Sequence, residues 1–205
     1  NNTRISVLGG SEKIRYYISA NLVGQQGLIY KNDFKRTGIV SNLDADIKKW
    51  LTVGLNITGN KEVNRGVASN GYWGNPVDNA LRFPNTVPVY NEDGSYVIAF
   101  RVTMRNPWNV LATVFEPRRL STRYRGVANT YANIKFSEYL SFKTSFGAKV
   151  NTTSSDNFQT LNTLNGYING KNSAHYYNDA LASWQNTNTL SYLRTFSDRH
   201  TLNAV

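Results

Sequence analysis

Residues 50–60 read WLTVGLNITGN, and their alternation decides the fold class. Leu51, Val53, Leu55 and Ile57 alternate with Thr52, Gly54, Asn56 and Thr58. A period of two places every apolar side chain of this stretch on one face of a strand and leaves the other face small and polar. A soluble antiparallel sheet alternates in this way when one face packs on a core and the other meets water. A membrane barrel produces the same pattern with lipid in place of the core.

The composition supports an all-β chain. Tyr 13, Phe 9 and Trp 4 are plentiful against a single Met, and Gly 15 with Pro 5 suits strands and turns better than helices. The absence of cysteine removes disulfides and thiolate metal sites from consideration. A formal net charge of +10 invites a polyanionic partner, nucleic acid first. The basic residues are spread along the chain, however, with only short clusters such as Lys48-Lys49 and Arg118-Arg119, and no nucleic-acid motif accompanies them. No apolar run reaches the roughly 18 residues that a membrane-spanning helix needs. The opening residues carry no signal-peptide pattern, and the chain reads as a section cut from something longer.

Working outward by alternation gives about eight strands, at roughly 2–8, 13–24, 34–47, 51–60, 120–136, 140–151, 183–196 and 200–205. Short connections (GGSEK, KKW, SEY and SDRH) alternate strictly with longer ones at about 24–33, 61–119 and 152–182. In an up-and-down meander successive connections lie at opposite ends, so one end is trimmed to turns and the other carries the elaboration. Outer-membrane barrels sort their loops in this manner, with short periplasmic turns and long extracellular loops.

The strand faces agree. Arg15, Tyr17, Ser19 and Asn21 oppose Ile14, Tyr16, Ile18, Ala20 and Leu22. Arg123, Arg125, Asn129 and Lys135 oppose Ala128, Ala132, Ile134 and Phe136, and Lys143 opposes Phe142 and Phe146. A face with Arg, Lys or Asn at so many positions is wet, because unpaired buried charge is too costly. Asn56 extends that face into the opening stretch. Phe136, Tyr139, Phe196 and Trp50 gather beside the short turns, as an aromatic girdle at a membrane interface would.

Several segments resemble, in order along the chain, the early barrel region of SusC/RagA-type TonB-dependent outer-membrane transporters. They are SVLGGSEKIRYYISANLVGQQGLI, FKRTGIVSNLDADIKKWLTVGLNITGN, ALRFPNTVPVYNEDGSY, NPWNVLA and LSYLRTFSDRHTLNAV. Gln26 stands where the family often has Glu, and Val205 is not the aromatic residue on which such barrels usually finish. The resemblance implies that residues 1–205 are a section of a barrel of about 22 strands, without the plug, the TonB box or the remaining strands. It also implies a Gram-negative outer-membrane location, import of bulky glycans or peptides, a SusD-like surface lipoprotein as partner, and energy delivered through the TonB complex. In that setting Arg15, Asn21, Asn56, Arg123, Arg125, Asn129 and Lys143 line the lumen and the opposite face meets the lipid bilayer. Two alternatives stay open: a small free-standing outer-membrane barrel, since about eight strands can close one, and a soluble β-rich carbohydrate-binding module.

Chemistry is sparse. His175 and His200 are isolated and supply no metal-ligand spacing, and neither a catalytic set, a metal site nor a cofactor motif is expected. Asp44 and Asp46, on one face near a short turn, read as a lumenal pair engaging neighbouring Lys or Arg. NEDGS at 91–95 reads as a hairpin turn inside the 61–119 loop. Asn75-Pro76 and Asn106-Pro107 are good helix starts, with a short helix expected near 107–114. Exposed loop aromatics and their polar neighbours are the candidate substrate contacts: Tyr72, Trp73, Arg82, Tyr90, Trp108, and, from the 152–182 loop, Tyr176 and Tyr177. Phe83 and Tyr167 lie among them.

Overall fold

The computed structural model describes residues 1–67, 74–99, 107–197 and 199–205. Eight strands form one antiparallel sheet in sequence order: β1 (Asn2–Gly10), β2 (Ile14–Gln26), β3 (Asp33–Lys48), β4 (Leu51–Arg65), β5 (Arg118–Lys135), β6 (Leu140–Gln159), β7 (Ser173–Phe196) and β8 (His200–Ala204). Among the described residues three short helices, α1 (Pro76–Arg82), α2 (Val110–Phe115) and α3 (Leu164–Asn169), lie in the long connections. The order is an up-and-down meander, and β1 and β8 do not pair with each other, so these strands do not close a barrel of their own. That removes the small free-standing barrel as a description of this sheet.

Register fixes the two faces. Across β3, β4, β5, β6 and β7, Leu43, Leu55, Thr130, Phe146 and Asn186 stand side by side. Ser41, Ile57, Ala128, Ala148 and Trp184 form the next row of the same face. The apolar residues of the opening stretch therefore continue into a mainly apolar surface spanning the sheet. It is open rather than packed, with Ile18 53 %, Ile39 54 % and Trp184 73 % exposed. A contiguous, mainly apolar face running across five strands marks a contact surface. The buried apolar cluster among the described residues, Trp108, Ala112 and Leu164 with Tyr96 against it, lies in the connections and not under the sheet.

The apolar surface has a definite height. From Leu51 to Lys61 the chain runs about 33 Å at ~3.3 Å per residue, which a strand tilt of about 40° reduces to about 25 Å, the height of a barrel's lipid-facing band. Trp50, Phe136, Tyr139 and Phe196 mark one edge, and Arg194 lies over the rings of Tyr139 and Phe196 at 4.8 and 4.9 Å. Tyr124 marks the other edge, with the Lys61 ammonium 5.4 Å from its ring.

The strands run further toward the long connections than alternation alone predicts. β4 ends at Arg65, β6 reaches Gln159 and β7 begins at Ser173. The long connections shrink accordingly to 66–117 and 160–172, and the third is 27–32. Past the Tyr124 edge both faces become polar, as in TTSSDNFQ at the end of β6, so the hydrophobic alternation fades while the hydrogen-bonded ladder continues.

Candidate functional site

Two features carry the candidate site residues: the polar face of the sheet and the connections folded at its far end. Arg15, Asn21, Asn56, Arg123, Arg125, Asn129 and Lys143 all fall on the polar face by register. Asn42, Asn56 and Asn129 stand in one row on neighbouring strands, which gives that row amide donors and acceptors without charge.

A row closer to the short turns shows how the face is organised. Asp44, Gly54 and Tyr131 are aligned across β3, β4 and β5. A Cβ at Gly54 would collide with the Tyr131 ring. The missing side chain lets the ring lie across β4, and the Tyr131 hydroxyl donates to Asp44 Oδ1 at 2.7 Å. Lys143 sits over the same ring, 4.8 Å from its centroid. Beside it Thr52 donates to Asp46 Oδ1 at 2.7 Å, and Arg15 approaches Asp46 at 3.9 Å. The expected pairing of the two aspartates with basic neighbours is thus met by Asp46, whereas Asp44 engages a tyrosine. Nearer the long connections Glu62 lies between Arg123 and Arg125, at 3.9 and 4.0 Å.

The connections form one folded cap. Trp108 is 2 % exposed and donates from Nε1 to the Asn162 carbonyl at 2.9 Å, and its ring lies 5.2 Å from that of Tyr167. This joins 66–117 to 160–172. The 27–32 connection joins through Lys31, whose ammonium donates to the Phe115 carbonyl at 2.6 Å, and through Tyr30 against Phe115. Two buried asparagines hold the centre. Asn109 accepts from the backbone of Leu111 and Ala112 as the N-cap of α2, and donates to the carbonyls of Val89 and Val97. Asn79 donates to Thr113 Oγ1 and accepts from the Trp108 backbone N–H, tying α1 to α2.

These contacts revise several sequence-based expectations. Asn75 caps α1 and Pro76 opens it, as expected. The second helix starts at Val110 under Asn109 instead of near 107, because the Trp108 N–H is held by Asn79 and the Asn109 side chain completes the first turn. Trp108 belongs to the core of the cap, not to an exposed stacking surface. Arg82 is likewise committed: it pairs with Asp78 one turn earlier and its side chain is only 10 % exposed. Tyr90 stays half-exposed and stacks on Tyr96 at 5.5 Å. Tyr176 and Tyr177 lie on β7, not in a connection, and point to opposite faces: Tyr177 shares the polar face, while Tyr176 accepts from Ser154 on the other. Tyr72 and Trp73 lie outside the described residues.

The 91–95 segment is the expected hairpin turn. Tyr90 bridges Tyr96, and Gly94 takes φ 82°, a left-handed conformation natural to glycine. Asp93 accepts from the Ser95 hydroxyl and backbone N–H, which holds its carboxyl below the usual range. Burial, then the nearby charge of Glu116, pushes the Tyr96 phenol up.

Sequence reasoning missed the Gly54 slot, Glu62 and the two keystone asparagines. A glycine inside a strand pattern is a general sign of close approach, yet nothing local names the ring that fills the space.

No protein-family model matches the chain. Among proteins of similar sequence, TonB-dependent receptor P3 of Formosa agariphila is 34 % identical over 197 residues, which cover 93 % of this chain and 19 % of the relative. TonB-dependent receptor P39 of the same organism is 29 % identical over the full chain and again 19 % of its own length. The chain therefore spans about a fifth of the length of the relatives it matches. Among solved structures, the RagAB peptide importer in its closed-closed state aligns over 98 % of this chain and 23 % of its own, at a TM-score of 0.74 and 22 % identity, a likeness of fold. The RagAB peptide transporter aligns at a TM-score of 0.75. An open eight-stranded meander with one mainly apolar and one mainly polar face, matched over 93 % of its length by a TonB-dependent receptor 34 % identical to it, places this chain in the TonB-dependent receptor family as a section of the barrel.

Proposed function

We propose that the chain forms part of the wall and part of the outer mouth of a transporter that brings bulky nutrients, glycans or peptides, across the outer membrane of a Gram-negative bacterium. The observation that carries this reading is the sorting of the sheet. One face is mainly apolar over the height of a bilayer, the other is mainly polar, and the elaborated connections all lie at one end. The apolar face meets lipid, the polar face lines the lumen, and the cap is the part that cargo meets first. Tyr90 and Tyr177 are the remaining described aromatics of the initial set that are open to contact cargo there. A SusD-like lipoprotein closes over the mouth, and a plug energised through the TonB complex gates the lumen. The wall makes and breaks no bonds.

The test is to purify the full-length receptor with an affinity tag from detergent-extracted outer membranes. The expected result is a heat-modifiable barrel that requires detergent and co-purifies with a surface lipoprotein. A full-length protein that is monodisperse without detergent and binds sugar on its own would instead establish the soluble carbohydrate-binding reading.

A further inference from the structure

Charge is segregated along the polar face. Toward the short turns acids and bases are mixed: Asp46 pairs with Arg15, Asp44 accepts from the Tyr131 hydroxyl, Lys143 sits over the Tyr131 ring, and Lys135 shares the face. Toward the cap, Arg4, Arg36, Arg119, Arg123, Arg125 and Lys149 share the face with only Glu62 and Asp179. Glu62 is divided between Arg123 and Arg125 at 3.9 and 4.0 Å, both at the limit of an ion pair. Among the described residues no acidic side chain comes within ion-pair distance of Arg4, Arg36, Arg119 or Lys149 on this face. Cations on a concave, low-dielectric wall reinforce one another's field.

A second observation falls in the same place. Asn60 Oδ1, Arg119 Nε, Asn151 Oδ1 and Asn157 Oδ1 are buried side-chain atoms with no hydrogen-bond partner among the described residues, and all four lie in the cap-side rows of the polar face. Asn60 and Asn151 flank Arg125 in register, and Arg119 faces Asn157. Buried polar atoms are ordinarily paired, and leaving one unpaired is costly. The Arg123 and Arg125 side chains are 40 % and 45 % exposed, and guanidinium groups open to the lumen in rows with asparagine amides suit a ligand that carries both anionic groups and hydrogen-bond donors.

We propose that this cap-side half of the polar face selects an oligomeric anion as cargo, a chain bearing carboxylate or sulfate groups along with hydroxyl or amide donors. Arg123 and Arg125 are the central contacts, and Glu62 holds them apart and moderates their attraction. Anionic groups are drawn in at the mouth, where cations outnumber acids, and released toward the short-turn half, where acids and bases are more nearly matched. The proposal rests on the transporter reading, since it takes the polar face to be a lumen.

The experiment measures binding to the detergent-solubilised full-length receptor by fluorescence anisotropy. The labelled probes are an oligogalacturonate, a sulfated chondroitin oligosaccharide, an oligoglutamate peptide and a neutral malto-oligosaccharide. At least one anionic probe is expected to bind about tenfold or more tighter than the neutral one, with an affinity that falls as salt rises. Which of them binds separates a glycan source from a peptide source. The Arg123→Gln/Arg125→Gln pair should weaken that probe about tenfold, and Glu62→Gln should strengthen it a few-fold. The proposal is overturned if no anionic probe outcompetes the neutral one. It is equally overturned if the arginine pair leaves anion binding unchanged while lowering thermal stability, for then these cations serve the protein's own interior. Heat-modifiability on the same samples distinguishes the two levels: a properly inserted barrel that ignores anions defeats this proposal alone, and a protein that forms no barrel defeats the transporter reading with it.

Discussion

At the scale of single residues, the polar face and the cap depend on side chains whose importance comes from a precise neighbour. Gly54→Val places a branched side chain where the Tyr131 ring lies. The ring must swing away, Asp44 loses its hydroxyl partner, and overpacking costs about 1–3 kcal/mol. Tyr131→Phe removes only the hydroxyl, and because the face is wet the loss should be nearer 1 kcal/mol. Thermal or denaturant unfolding of the full-length receptor should rank the two variants in that order. Asn109→Ala is expected to be worse for the cap than either, since it removes a helix cap worth about 1 kcal/mol and leaves the Val89 and Val97 carbonyls unpaired. Faster proteolysis within 66–117, with the sheet intact, is the expected signature, and unaltered cleavage would show that Asn109 is not the keystone. Titration should leave the hairpin alone near neutrality. The lowered Asp93 carboxyl contributes stability that is present above about pH 4 and lost as pH falls through its folded value. The raised Tyr96 phenol contributes stability present below about pH 10 and lost at higher pH. None of these partners was legible in the sequence. The sequence reading starts this helix at Asn106-Pro107, and Asn106 lies outside the described residues; what one dimension does not show is the claim of Asn79 on the Trp108 N–H.

At the scale of the element, β7 separates what the sequence could reveal from what it could not. Its half near the short turn alternates, and period-two reading finds it. Its far end, SAHYYNDA, has no apolar face because both faces meet water there, so a strand and a polar loop look alike in one dimension. The same physics hid the ends of β4 and β6. Even within the apolar band β7 is irregular, for Asn186 and Asn188 fall on the apolar side. They satisfy each other there: Asn188 donates to Asn186 Oδ1 at 2.6 Å, and Asn186 donates to the Ser145 carbonyl at 3.1 Å. Single cysteines introduced into this cysteine-free section make the boundary measurable. In the full-length receptor in membranes, cysteines at Tyr176 and Tyr177 should both react with a membrane-impermeant maleimide. Lower down, Ser183→Cys on the polar face should react while Ala182→Cys should not. Equal reactivity at 182 and 183 would mean that the sheet has no lipid-facing side at this height.

At the scale of the whole molecule, the open edges matter most. Backbone hydrogen bonds on the outer side of β1 and along β7 beyond its short pairing with β8 have no partner among the described residues. β8 meets β7 only from Tyr192 to Phe196, although β7 extends to Ser173. In lipid an unpaired backbone group costs several kcal/mol, which is why spanning sheets close into barrels. In water a long bare edge recruits other edges and aggregates. The antiparallel order and facing of this section are set by its own hairpins, but its stability requires strands that pair with β1 and β7. Residues 1–205 expressed alone should therefore give no heat-modifiable, monodisperse species in detergent, and the full-length receptor should give one. Restoring the remaining barrel strands as a separate chain during refolding should rescue the section, because complementary edges are the missing component. A section that folded alone to a stable monomer in detergent would show that its edges are protected by contacts other than strand pairing, and would overturn closure by the rest of the barrel as the source of its stability.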